Sequence, residues 1–181
     1  MLNDLTLLGL SAALLCGLPT PTEDAHFALS ASGAVRLVAT GKASYGALPA
    51  TAELPQAFSI TLGAESKTGA LVLMQRAGAA PLAGRYAVRE YAAGNVSDFS
   101  ALFVAGSPSE PMGVFRGEQG SITITATRPG RVEGRFRIEA RGFLAAAPER
   151  DDLRVTLEGT FVAYADRTVA TITRLGGPMP M

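Results

Sequence analysis

Two stretches near the carboxyl end alternate polar and apolar residues, with Val162 the one apolar residue in a polar place. In the first, Arg131, Glu133, Arg135, Arg137, Glu139 and Arg141 alternate with Val132, Gly134, Phe136, Ile138 and Ala140. In the second, Leu153, Val155, Leu157, Gly159, Phe161 and Ala163 alternate with Arg154, Thr156, Glu158, Thr160 and Val162. A period of two belongs to a strand with one buried and one wet face. A helix would spread these arginines around its circumference and bury some of them. The same period recurs in Phe58, Ile60 and Leu62, and in Ile122, Ile124 and Ala126.

Turn chemistry falls between the alternating runs. Arg128-Pro129-Gly130-Arg131 pairs a preset φ with a residue that accepts positive φ. Ser32-Gly33, Gly94-Asn95 and Gly117-Glu118-Gln119-Gly120 are further turn candidates, and Ala145–Asp152 reads as a longer loop. Glycine and proline supply 20 and 11 of the 181 residues, which favours turns over long helices. The expected strands are 26–31, 34–45, 57–63, 69–76, 84–91, 99–105, 112–117, 120–128, 131–142 and 152–164, about ten in all. A further strand is expected at Thr168–Arg174. The fold class is all-β: a single antiparallel β-sandwich or β-barrel.

Leu71–Met74 and most of Phe99–Val104 are apolar on both faces. Such strands lie centrally under cover on both sides, or they face a partner. Val132-Glu133-Gly134-Arg135-Phe136 is echoed by Leu157-Glu158-Gly159-Thr160-Phe161. In both copies an inward glycine stands two positions before a phenylalanine. The expectation is that these glycines let a strand coil or let an aromatic ring lie across it.

Leu5–Leu18 is an apolar run of about fourteen residues, short of the twenty or so that span a bilayer. It has the length of a signal-peptide core, and the Pro-broken segment Pro19–Asp24 follows it. We therefore expect an export leader at 1–25, a β domain at 26–175 and a disordered tail at 176–181. The alternative is a buried first element of a cytosolic domain, since Met1–Asp4 carries no Lys or Arg. Cys16 is a candidate lipidation site, although Leu15 is bulky for the position before it. Cleavage near Ala25 would leave no cysteine, which suits an oxidising compartment. The expected location is the periplasm or the extracellular space, or the membrane surface through Cys16, with no transmembrane span in the mature chain.

The sequence offers little for catalysis. One His and one Cys cannot build a Cys/His zinc site or an internal disulfide. His26 sits at the edge of the expected domain, and no G-x-S-x-G elbow is present. Gly41-Lys42-Ala43-Ser44 departs from a phosphate loop, with Arg36 in place of the first Gly and Ala43 after the Lys. Asp151-Asp152 reads as a solvated loop before a strand. Glu133 and Glu158 are wet-face residues. No cofactor is expected, and the chain is not expected to be an enzyme. Sixteen basic and sixteen acidic residues give zero net charge, which argues against a nucleic-acid partner.

One charged feature stands out. Arg131, Arg135, Arg137 and Arg141 point the same way along one strand, with Glu133 and Glu139 between them. They form a candidate anion-binding face for polysaccharide, lipid headgroup or phosphate. The plainer reading is a solvated sheet face laced with ion pairs.

The segments Gly120–Thr125, Gly130–Ala140 and Val155–Ala163 carry G-S-I-T-I-T, then G-R-V-E-G-R-F-R-I-E-A, then V-T-L-E-G-T-F-V-A. This pattern resembles a loose group of small exported bacterial β-sandwich and β-barrel proteins. The resemblance implies export and an all-β fold, and it supplies no catalytic residues. The expected function is a non-catalytic exported envelope domain with a structural, adhesive or protein-contact role. Its partners would be another envelope protein or a polysaccharide. The alternative is a lipocalin-like barrel carrying a small apolar ligand, which predicts a central cavity of several hundred cubic ångströms. An outer-membrane barrel fits less well, because aromatics make up 7% of the chain and the outward faces are charged.

Overall fold

The computed structural model describes residues 25–48, 56–90 and 95–166. Cys16 with the rest of the expected leader through Asp24, the expected strand at Thr168–Arg174 and the tail lie outside the described residues. Ten strands follow in chain order: β1 (His26–Gly33), β2 (Leu37–Gly41), β3 (Ala43–Leu48), β4 (Ala57–Leu62) and β5 (Gly69–Gln75), then β6 (Gly84–Arg89), β7 (Phe99–Gly106), β8 (Pro111–Arg128), β9 (Arg131–Leu144) and β10 (Leu153–Ala165). Among the described residues there is no helix. The chain is all-β.

The strands bond into one sheet that closes on itself. The ring runs β10–β3–β4–β5–β7–β8–β9 and returns to β10. Closure pairs the strands of the ring on both sides, and among the described residues β2, bonded only to β1, keeps an outer edge. The β1–β2 hairpin adds to β10 along Val155–Val162, and β3 meets β10 only at Tyr164 and Ala165. β8 divides its edge in the same way: Pro111–Arg116 pairs with β7, and Gln119–Ile124 pairs with β6. Most pairings are antiparallel; β10–β3 and the single β6–β7 pair Val88–Phe99 are parallel.

Three expectations are corrected in detail. The expected strand 34–45 is two strands, because the chain leaves β1 after Gly41 and turns to β4, where Gly63 N–H donates to the Lys42 carbonyl at 3.0 Å. The expected strands 112–117 and 120–128 are one. Gly117–Gly120, read as a turn, is instead a bulge within β8, where the register shifts between Gly117 and Gln119. The bulge bends β8 between its two partners. Gly120 has φ +148°, and a β-carbon there would run into the Arg137 carbonyl oxygen, so the bend requires glycine. A second shift, between Ile124 and Ala126, overturns the expected inward place of Ala126. Ala126 now pairs with wet-face Glu133, and Thr127 takes the inner register opposite Val132. The Thr127 hydroxyl is satisfied there by donating to the Pro81 carbonyl at 2.6 Å.

The alternation elsewhere sorts as expected. In β9, Val132, Gly134, Phe136, Ile138 and Ala140 are buried, while Arg135, Arg137, Glu139 and Arg141 are exposed. Inside the ring Phe58, Phe99, Phe103, Phe115 and Phe161 pack among Ile60, Leu62, Leu71, Leu73, Ile122 and Ile138. Phe103 and Phe115 lie with ring centroids 6.1 Å apart, and Tyr86 meets Phe99 edge-on at 5.6 Å. Among the described residues the only buried polar side chains are Ser59 and Gln75. The strands apolar on both faces prove one-sided in burial: Leu71, Leu73 and Phe103 are buried, Val72, Met74 and Val104 are half-buried, and Leu102 is exposed.

Candidate anion-binding face

Four neighbouring strands, β6, β8, β9 and β10, turn one continuous face outward, and β1 and β2 extend it. The residues on it are fixed by register. One row across the strands reads Arg85, Thr123, Arg135, Thr160, Ala28 and Thr40. The next reads Ala87, Ser121, Arg137, Glu158, Ser30 and Val38. A third holds Arg89, Gln119, Glu139 and Thr156. The last aligns Leu102, Arg116, Arg141 and Arg154 on β7, β8, β9 and β10.

The four arginines singled out in the sequence do lie on this face, but they are not equivalent. Arg137 pairs with Glu158 at 2.9 Å, both exposed. Arg141 donates through Nε to the Asp151 carbonyl at 3.0 Å, and its guanidinium lies 3.6 Å from the Asp151 carboxylate and 4.0 Å from that of Glu118. Glu118 also lies 3.4 Å from Arg154. Arg131 is the least exposed of the four. Its Nε stands 3.1 Å from Glu133 without the alignment of a hydrogen bond, and its guanidinium lies 5.9 Å from the centre of the Tyr164 ring. Glu139, the other interleaved acid, accepts from Gln119 Nε2 at 2.6 Å.

Arg135 differs. It is exposed, it has a threonine on either side in its row, and no carboxylate shares that row. Across Thr123 stands Arg85, whose guanidinium donates to Ser121 Oγ at 3.3 Å. Sequence reading missed Arg85, Arg116 and Arg154 as members of the face. Their outward direction was legible from the alternation; their neighbours were not, because β6 joins β8 across an intervening strand in sequence.

His26 is exposed at the start of β1, and Asp151 and Asp152 lie in the turn before β10. Gly41-Lys42-Ala43-Ser44 is the passage from β2 to β3 rather than a loop before a helix. The larger clefts are open at the surface. One of about 680 Å³ is lined by Lys42, Ser44, Glu65, Tyr164 and Asp166. Another of about 370 Å³ is lined by Val114, Arg116, Arg141, Phe143 and Asp151. No protein-family model, curated protein or solved structure matches the chain.

Proposed function

We propose that this chain is a non-catalytic, exported β-domain of a bacterial envelope that acts by surface contact. One observation carries the reading: apolar side chains fill the ring, and the charged chemistry stands outside it in ordered rows. A carboxylate enzyme needs two acids facing each other in a cleft, whereas Glu133, Glu139 and Glu158 sit on the wet face. A carrier of apolar ligands needs an enclosed chamber. Here Phe58, Phe103, Phe115 and Phe161 occupy the space such a ligand would take. Export rests on the apolar run Leu5–Leu18 and on a body after Ala25 that has no cysteine.

The test is to express the full chain in a Gram-negative host, fractionate the cells and measure the mass of the mature amino terminus. A cut near Ala25, or a lipidated Cys16, in the periplasmic or membrane fraction is the expected result. Cytosolic protein that keeps Met1 overturns the reading.

A further inference from the structure

We propose that the acid-free row Arg85–Thr123–Arg135–Thr160 is a binding track for an acidic polysaccharide, with the chain lying across strands β6, β8, β9 and β10. The proposal deepens the surface-contact reading and rests on it.

Charge on this face is in surplus. It holds nine arginines, at 85, 89, 116, 128, 131, 135, 137, 141 and 154, against Glu118, Glu133, Glu139, Glu158 and the adjoining Asp151. The surplus is not spread evenly. The carboxylates neutralise Arg131, Arg137, Arg141 and Arg154. Arg85, Arg89, Arg116, Arg128 and Arg135 have no ion pair among the described residues, and of these Arg85 and Arg135 flank the same threonine. Among the described residues an anion arriving there displaces no carboxylate, only the Ser121 hydroxyl on Arg85.

Geometry then selects the kind of anion. Arg85 and Arg135 are two strands apart, about 10 Å between α-carbons. The Arg85 guanidinium reaches across to β8, where it donates to Ser121 Oγ. Two guanidiniums rooted on different strands suit a polymer that carries successive charges better than one small anion. Between and beside the two guanidiniums stand hydroxyls of Ser121, Thr123 and Thr160, which both donate and accept and so match sugar hydroxyls. Each guanidinium offers a planar fork that fits a carboxylate in two parallel hydrogen bonds. The track lies on the outer surface of the ring, where its side chains are open to a polymer laid across the strands.

The probe is polygalacturonate, titrated against the purified full chain at low ionic strength by calorimetry. Neutral dextran and a single-stranded oligodeoxynucleotide of equal charge serve as comparators. Binding of polygalacturonate that weakens with added salt is expected, with no binding of dextran and weaker binding of the oligonucleotide. The double variant Arg85→Gln/Arg135→Gln should lose about tenfold or more in affinity, the scale of two charge-assisted hydrogen bonds. The variant Arg36→Gln/Arg150→Gln removes the same charge elsewhere and should bind as the parent does. Both variants are compared with the parent by circular dichroism and thermal melting. Absence of binding by the unaltered chain overturns the proposal; so does equal binding of the oligonucleotide, or an equal loss in both variants. Because the assay uses purified protein, its failure leaves the export test untouched, and cytosolic retention leaves the binding result standing.

Discussion

Phe136 lies against Gly159, its directly paired neighbour on β10, so closely that a β-carbon on Gly159 would stand 2.7 Å from the ring's Cζ. The relation is reciprocal. Phe161 lies against Gly134, where a β-carbon would stand 2.7 Å from its Cζ. Each phenylalanine therefore occupies the space left by the glycine opposite, and the two G-x-F copies interlock across the β9–β10 ladder.

Replacing Gly159 with alanine should destabilise the domain by about 2–3 kcal/mol, the usual scale of overpacking in a filled core. The new methyl meets the Ala28 backbone carbonyl on β1 as well as the Phe136 ring. Adding Phe136→Leu should therefore restore only part of the loss. Urea titration of the single and double variants checks this; a Gly159→Ala domain as stable as the parent contradicts the interlock.

This contact shows what a single sequence can carry. The repeated glycine two positions before an inward phenylalanine was legible, because side-chain direction in a strand follows from the period alone. That the two copies pair with each other was not. Long-range register depends on complementary shapes that no local window contains. The same limit hid the company of Arg135: its outward direction followed from Val132 and Phe136, but Arg85 reaches it through β8. Bulges were misread for a related reason. The glycines at 117 and 120 have turn-like composition, and only the partner strands decide between a turn and a bend.

The second bulge makes its own prediction. It sends Thr127 inward, where its hydroxyl donates to the Pro81 carbonyl at 2.6 Å in a partly buried setting. Thr127→Val keeps the shape and removes the donor, leaving that carbonyl short of a partner. The expected loss is about 1–2 kcal/mol by thermal or chemical denaturation. A neutral result would mean that water replaces the hydroxyl without cost.

At the β8–β9 turn, Gly130 has φ +79° and nothing within 4 Å of a β-carbon built on it. The cost of a side chain there is backbone strain alone. Gly130→Ala should lose about 1–2 kcal/mol. Gly130→Asn should lose less, because asparagine tolerates the left-handed region better. Gly142 is the opposite case, since a β-carbon there would strike the Val114 carbonyl oxygen and lie 2.7 Å from the Phe115 α-carbon. Gly142→Ala should cost more than either, above about 3 kcal/mol where backbone must move. Melting temperatures should fall in the order Gly130→Asn, Gly130→Ala, Gly142→Ala, and any other order contradicts this division between strain and collision.

The charged face should contribute little to folding, and this can be measured at one pair. Arg137 and Glu158 lie 2.9 Å apart with side chains 72% and 50% exposed. Solvent screens such a pair, and ordering two long side chains opposes it. A double-mutant cycle with Arg137→Ala and Glu158→Ala should give a coupling below about 1 kcal/mol, falling further in high salt. Arg135→Gln, with no carboxylate in its row, should shift stability by no more than about 0.5 kcal/mol in either direction. If both values are small, the interior alone holds the fold, and the arginines can be exchanged without disturbing it. A coupling of several kcal/mol would instead make the rows part of the framework, and any loss of binding on removing them would then have to be separated from loss of structure.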